Sequence, residues 1–212
     1  LSKIALSDAL FWNYFRSQGF AVVPGDKVEE RGKLVGAYVK EPKPGKYKWV
    51  SCNDFSALYP STIITCNLSV ENFLGPLPDA DKYKDDPNYF VSVLGNVYKN
   101  DKDYAFKSIQ KELKANRAKA KYIAKELTAR VVNDLEHILN NHEYDHSEYS
   151  DNIKRHLSGM GYNYKTTDEI EDPKEFLKII TKEITYLVSY EQACKLLANS
   201  LYGGSSHVAS EF

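Results

Sequence analysis

An aspartate followed by a tight turn is the feature of this chain with the clearest capacity for chemistry. Asp54 directly follows residues 47–53, an aromatic and β-branched run after a Pro-Gly turn, which predicts a short strand. Pro60 predicts a helix start, so residues 55–59 form an irregular turn. A carboxylate binds hard cations, and the exposed N–H groups of such a turn bind anions. This arrangement suits a metal-bound phosphate, although an aspartate here is also a common structural cap.

A second set of polar residues lies near the C-terminus. Lys195, Asn199 and Tyr202 are spaced i, i+4 and i+7, which puts a cation, an amide and a phenol on one helix face. The apolar residues off that face are expected to pack: Leu196, Leu197 and Leu201. The alternative is an ordinary amphipathic helix that Gly203 closes, with a solvated lysine.

Charge is unevenly distributed, although the net charge is only −1. Basic residues outnumber acidic ones from Lys102 to Arg130, whereas residues 131–151 contain carboxylates and no Lys or Arg. The basic stretch suits a polyanionic partner, and a solvated helix face is the alternative. Three histidines lie near the acidic stretch, but their spacing does not put them on one helix face: His137, His142 and His146.

Two strings of residues resemble motifs of family B DNA polymerases. Residues 54–61, Asp-Phe-Ser-Ala-Leu-Tyr-Pro-Ser, resemble the first palm motif, and residues 195–203 resemble the fingers motif. Between them, residues 116–121 are similar to the fingers segment in which an Arg and a Lys, one turn apart, face the incoming triphosphate. Residues 36–44 are similar to the segment that enters the palm in replicative polymerases of T-even bacteriophages, the branch that matches best.

The resemblance implies DNA-templated DNA polymerisation with dNTPs and primer-template DNA as partners. Asp54 would be the catalytic carboxylate and, with the Phe55 backbone carbonyl, a ligand of Mg²⁺, of which the complete enzyme uses two ions. Tyr59 would lie under the sugar and exclude a ribose 2′-hydroxyl. The nucleotide-binding residues would be Ser56, Ala57, Leu58, Tyr59, Arg117, Lys121, Lys195 and Asn199. Asn199, Tyr202 and Gly203 would contact the nascent base pair and DNA.

The elements that must position these residues give an α+β fold, in which a palm of antiparallel strands and helices carries a fingers hairpin. Four regions are expected: a helical lead-in at 1–35, the first part of the palm at 36–104, the fingers at 105–203, and a return to the palm at 204–212. Extended strands are expected over 35–54, long helices over about 106–139 and from Asp172-Pro173, and a connector between them. The second helix should begin with an Asp172 cap and a Glu175 capping box.

The chain is expected to be a fragment. The family's second palm carboxylate lies in an Asp-Thr-Asp turn after the fingers motif and has no counterpart here. The expectation is a protein that is inactive alone and needs a C-terminal segment, on the same or another chain. A sliding clamp is a further partner that the resemblance leaves open. The alternative is a non-catalytic nucleic-acid-binding or helical scaffolding module.

The resemblance to the phage branch implies a viral protein that acts in the cytoplasm of an infected bacterium. No apolar run approaches the ~20 residues that a membrane span needs, so the protein is expected to be soluble and without a membrane partner. Its cysteines, at 52, 66 and 194, are expected to be reduced buried thiols.

Overall fold

The structure, a computed structural model, describes residues 3–19, 38–141, 146–160 and 172–205. It has the expected α+β composition, with a three-stranded antiparallel sheet in the order β1-β3-β2 and two long helical runs. Within the described ranges, the α-helices are α1 (Lys3–Ser17), α2 (Leu58–Cys66), α3 (Ala105–Glu126), α4 (Asn133–Asn140), α5 (His146–Gly159) and α6 (Pro173–Ser205). The strands are β1 (Phe73–Pro76), β2 (Tyr89–Val91) and β3 (Asn96–Lys99), with a 3-10 helix at Ala80–Tyr83.

The predicted strand before Asp54 is wrong. Residues 38–54 form no strand, and their side chains are exposed, while residues 35–37 lie outside the described ranges. A strand is stabilised by a hydrogen-bonded neighbour, and among the described residues only β1, β2 and β3 pair with one another. The aromatic and β-branched composition of residues 47–53 therefore does not decide their conformation, because propensity without a partner is insufficient.

The first long helical run matches its prediction in extent but not in regularity. It continues from α3 through a π-helical segment, Leu127–Val132, into α4. The stretch expected to be a connector contains the helix α5. The run from 142 to 145 and the rest of the connector, 161–171, lie outside the described residues.

The start of α6 confirms the predicted cap. The Asp172 Oδ1 atom accepts hydrogen bonds from the N–H groups of Lys174 at 3.0 Å and Glu175 at 3.4 Å. Pro173 is the first helical residue, where its missing N–H costs nothing. The predicted capping box is absent, because the Glu175 carboxylate instead accepts from the Lys178 ammonium group at 3.0 Å.

The chain divides into two compact units. Unit 1 is Leu1–Lys111 with Leu197–Phe212, and unit 2 is Glu112–Leu196. In unit 1, the Phe11 and Phe106 rings stack at 4.5 Å. Unit 2 has a continuous apolar core of twelve buried residues: Ala120, Ile123, Ala124, Leu127, Val131, Leu135, Ile138, Ile153, Leu157, Phe176, Ile180 and Leu187.

Buried asparagines in unit 1 fix the end of α2. Asn67 caps this helix in the left-handed region, with φ of 51°, and its amide donates to the Lys102 carbonyl at 2.7 Å. The Asn72 amide donates to the carbonyls of Asn67 at 2.7 Å and Lys99 at 2.6 Å. These contacts satisfy polar groups that would be costly to bury unpaired. They hold the helix whose other end carries the first motif.

The cysteines differ in exposure. Cys52 is exposed, Cys66 is partly buried and Cys194 is buried, so the expectation of buried thiols was wrong for Cys52. Burial raises the pKa of the Cys66 and Cys194 thiols. In the described part of the chain, no helix is long and apolar enough to cross a membrane.

Candidate nucleotide-binding site

Asp54 and Phe55 lie in exposed, irregular backbone that leads to the start of α2. The Phe55 ring is 77% exposed. Across the described residues, no group of three or more His, Cys, Asp or Glu side chains is placed to hold a metal. The Asp54 carboxylate and the Phe55 carbonyl are oxygen donors, the class that Mg²⁺ prefers. They fit such an ion chemically, but they supply only one carboxylate.

The turn between Asp54 and α2 has an unusual backbone. Ala57 lies in the left-handed region, with φ of 50° and ψ of 56°, and α2 begins at Leu58. Successive left-handed and right-handed residues turn their N–H groups toward one concave surface, which suits an anion. A left-handed residue with a side chain costs of order 1 kcal/mol, and such strain is concentrated at functional sites.

The first turn of α2 is closed by a backbone hydrogen bond. Pro60 has no N–H, and the Ser61 N–H already bonds the Ala57 carbonyl at 2.9 Å. No side chain caps this end of the helix in the described structure.

Tyr59 is helical, which corrects the expectation that residues 55–59 are irregular. The bias against helix before proline is outweighed here because Pro60 falls in the first turn, where the helix tolerates it. The Tyr59 side chain is 47% exposed and that of Leu58 is 51% exposed. The Ser61 hydroxyl donates to the Ser56 carbonyl at 3.2 Å, which ties the turn to the helix.

Arg117 and Lys121 line one groove in unit 2, as their spacing of one helical turn requires. The groove has a volume of about 630 Å³ and also contacts Lys125 on α3 and Glu191 on α6. Opposite Arg117, the Glu191 carboxylate accepts a hydrogen bond from the Arg117 Nε atom at 2.6 Å. The groove therefore contains three cationic side chains and one carboxylate.

Other cations of the basic stretch are paired outside this groove. Lys107 and Lys111 both contact Asp103, and Arg130 contacts Glu126 at 2.8 Å. These pairs match the alternative of a salt-bridged helix face, in which the Lys107 and Glu126 side chains are partly buried. The Lys111–Asp103 pair is exposed on both sides, and pairs of that kind contribute little to stability. Some cations of the basic stretch from Lys102 to Arg130 are therefore neutralised by nearby carboxylates, whereas others line the groove.

The fingers motif lies in the last turns of α6. Lys195 and Asn199 are exposed, and Lys195 is one helical turn after Glu191. Leu201 is fully buried as predicted, but Leu196 is 49% exposed, so the packed face was predicted incorrectly at that position. Cys194, not Leu196, is the buried residue of this turn.

The structure does not support the alternative in which Gly203 closes the helix. Gly203 does not end the helix, since α6 continues through Tyr202 and Gly203 to Ser205. The side chains of residues 202–205 and all of residues 206–212 lie outside the described part. The lead-in helix was predicted correctly as α1, whereas residues 20–35 are also outside that part.

The contact that sequence patterns missed is that of Glu191 with Arg117. The two residues are 74 positions apart. Within α6, the only local signal is an acidic residue one turn before Lys195, a spacing that normally indicates a pair along one helix.

The His137 ring, also a weak metal candidate, has its Nδ1 atom 2.8 Å from the Asn141 amide nitrogen, and His142 is not among the described residues.

Comparison with known proteins connects these features to one family. The model for DNA polymerase family B matches residues 7–157, more than half of the chain. The DNA-directed DNA polymerase of Escherichia phage RB69 is 27% identical over 228 residues, which cover 98% of this chain and 24% of that protein. DNA polymerase 1 of Pyrococcus abyssi is 36% identical over 76 residues, or 32% of this chain and 10% of that protein.

A DNA polymerase of Thermococcus litoralis is 27% identical over 157 residues, covering 66% of this chain and 9% of that protein. No solved structure gives a significant match. The chain therefore spans about a quarter or less of the length of these relatives. The family model matches more than half of the chain, and the alignment with the phage enzyme covers 98% of it, so the chain belongs to DNA polymerase family B.

Proposed function

We propose that this chain is the first palm motif and the fingers of a DNA-directed DNA polymerase that extends a primer with dNTPs. The observation that carries the proposal is the groove that Arg117 and Lys121 line together on α3. Because the chain covers only part of its relatives, the activity belongs to the complete protein. This segment contributes the binding of the incoming nucleotide.

The triphosphate is bound by backbone donors and cations. The N–H groups of the turn from Ser56 to Tyr59 contact phosphate oxygens, supported by the left-handed Ala57 directly before α2 and by the absence of a side-chain cap at this helix start. Arg117 binds phosphate through its planar fork, while Lys121 and Lys195 act as point charges. Donors already oriented toward the developing negative charge lower the barrier without a reorganisation cost.

Asp54 and the Phe55 carbonyl would hold Mg²⁺ at the start of this turn. The paired ions of a complete site supply positive charge that activates the primer hydroxyl and offsets charge on the leaving pyrophosphate. The second carboxylate comes from a C-terminal segment, on the same or another chain, and this chain is inactive without it.

Selection of the nucleotide is assigned to four side chains and a glycine. Tyr59 excludes a ribose 2′-hydroxyl by contact with the sugar, and Leu58 supports its ring. Asn199, Tyr202 and Gly203 contact the nascent base pair on its minor-groove side, where correct pairs share acceptor positions.

The phage relative supports action in the cytoplasm of an infected bacterium. A sliding clamp is proposed only as an additional partner of the complete enzyme.

The test is primer extension with Mg²⁺ and all four dNTPs. This chain alone is compared with this chain plus a C-terminal polymerase segment that carries the Asp-Thr-Asp turn. We expect extension only in the mixture, and its loss below detection with Asp54→Asn. Asp85→Asn, which neutralises another exposed carboxylate of unit 1, is the matched control and should keep activity.

Two results would contradict the proposal. Extension by the mixture that survives Asp54→Asn would remove Asp54 from catalysis. Retained DNA binding with no extension in any combination would favour the non-catalytic nucleic-acid-binding or scaffolding module.

A further inference from the structure

The ion pair between Arg117 and Glu191 links α3 to α6 inside unit 2. The Nε and Oε1 atoms are 2.6 Å apart, and the side chains are 35% and 11% exposed, respectively. Both residues line the same groove as Lys121. A pair so sheltered from water is held more firmly than an exposed one, because less solvent screens it.

The atom that Glu191 contacts decides what Arg117 can still do. A guanidinium group has five N–H donors, one on Nε and four on the terminal nitrogens Nη1 and Nη2. A carboxylate that accepts at Nε restrains rotation of the planar group and leaves the terminal nitrogens for a second anion. Arg117 is thus restrained on one edge, and its other edge is suited to a phosphate.

A carboxylate at a phosphate-binding groove is unfavourable by charge alone. At short range in a partly buried groove it repels an anion by an energy comparable to that with which a cation attracts one. Its presence is understandable if the oriented Arg117 fork contributes more than the repulsion removes. An Arg whose side chain must be ordered at the moment of binding loses rotamer freedom, and a side chain ordered beforehand does not.

We propose that Glu191 is a positioning residue, which holds Arg117 through Nε so that its terminal nitrogens face the triphosphate of the incoming nucleotide. The proposal rests on the proposed function, because it takes the groove to be the phosphate site. Glu191 itself contacts no substrate and acts only through Arg117. The role requires a carboxylate or carboxamide oxygen on a side chain as long as that of glutamate, so that the oxygen can accept the hydrogen bond from the Arg117 Nε atom.

The experiment is calorimetric titration of the 212-residue chain with inorganic triphosphate at low salt and without divalent metal. The probe lacks base and sugar, so it reports the cationic groove. Glu191→Asp keeps the charge but withdraws the carboxylate by one methylene, whereas Glu191→Gln removes the charge but keeps an acceptor at the same reach. Glu126→Asp is the matched control, because Glu126 also pairs with an arginine Nε atom, that of Arg130 at 2.8 Å.

We expect Glu191→Asp to weaken binding about tenfold, because the shorter side chain no longer holds Arg117, and Glu191→Gln to bind at least as tightly as the original chain, because it keeps the acceptor and removes the repulsion. Charge alone would instead leave Glu191→Asp unchanged. Glu126→Asp should change nothing. In an Arg117→Ala background, Glu191→Asp should have no further effect, since there is no fork left to hold.

Each alternative result has one meaning. Unchanged affinity in Glu191→Asp, or tighter binding in Glu191→Gln with no loss in Glu191→Asp, overturns the positioning role while the phosphate site stands, provided that Arg117→Ala weakens binding. If Arg117→Ala and Lys121→Ala both leave the affinity unchanged, the proposed function itself fails at this groove. Should Glu191→Asp not fold, as judged by circular dichroism, a more than twofold loss in Glu191→Gln would overturn the proposal.

Discussion

At the scale of single residues, Tyr104 links two ionisation equilibria. Its hydroxyl donates a hydrogen bond to the Asp101 carboxylate at 2.7 Å. Donation by this hydroxyl raises the pKa of Tyr104 to about 12 from its usual 10.0, because the carboxylate favours the protonated phenol. The same bond lowers the pKa of Asp101. The pair stabilises the loop directly before α3.

Tyr104→Phe should therefore lower stability in a pH-dependent way. The raised pKa of Tyr104 gives stability that is present below pH 10.0 and is lost as pH rises through about 12. The lowered pKa of Asp101 gives stability that is present above its ordinary value of 3.8 and is lost as pH falls through the lower folded value.

Thermal unfolding monitored between these limits should show a melting temperature about 2–4 °C below that of the original chain, with the difference shrinking at both ends. Tyr83→Phe, which removes another hydroxyl of unit 1, is the control. A difference that does not change with pH would exclude the Tyr104–Asp101 bond as its cause.

What the sequence predicts at this scale depends on separation along the chain. Arg117 and Lys121 are one turn apart, so helix geometry alone puts them in one groove. Glu191 reaches Arg117 only because two helices pack, and no spacing rule covers that distance. Ala57 could not be predicted as left-handed either, because alanine normally avoids this region and glycine is its usual occupant.

At the scale of elements, the start of α6 was predictable because all its signals are local. Asp172 and Pro173 are adjacent, and both act within one turn. The start of α3 is different: the Glu71 carboxylate accepts from the Ala105 N–H at 2.7 Å across 34 positions. The strand predicted at residues 47–53 also depended on a contact distant in sequence. It does not form, because the described structure provides no partner strand for it.

Replacement of Asp172, the cap of α6, tests how much this local signal contributes to stability. Asp172→Ala should lower the free energy of unfolding by about 1 kcal/mol, because two N–H groups of the first turn lose their acceptor. Urea denaturation followed at 222 nm measures the change. Asp172→Asn retains a capping oxygen and should stay close to the original chain. Equal losses in both variants would assign the effect to charge at the helix terminus instead of the hydrogen bonds.

At the scale of the whole molecule, the two units have separate reporters. The chain has two tryptophans, Trp12 and Trp49, and both belong to unit 1. The unit 2 core is helical and includes the fully buried Leu127. Tryptophan fluorescence therefore reports unit 1, whereas circular dichroism at 222 nm reports the helices of both units.

Leu127→Ala should destabilise unit 2 by about 3 kcal/mol, because it removes buried methyl groups and leaves a cavity. The urea midpoint seen by circular dichroism should fall more than the midpoint seen by fluorescence. Ile109→Ala, in the buried core of unit 1, should reverse this order. Coincident midpoints for both variants would mean that the described chain unfolds as one cooperative body.

The π-helical segment Leu127–Val132 has a consequence for evolution. A π turn contains more residues than an α turn, so the segment behaves as an insertion that the helix has absorbed without ending. One added residue rotates everything beyond it by about 100° about the axis. In relatives whose helix is α-helical throughout, we expect a single-residue gap within this segment. In an alignment with such a relative, the difference in residue number between homologous positions would then change by one across this segment.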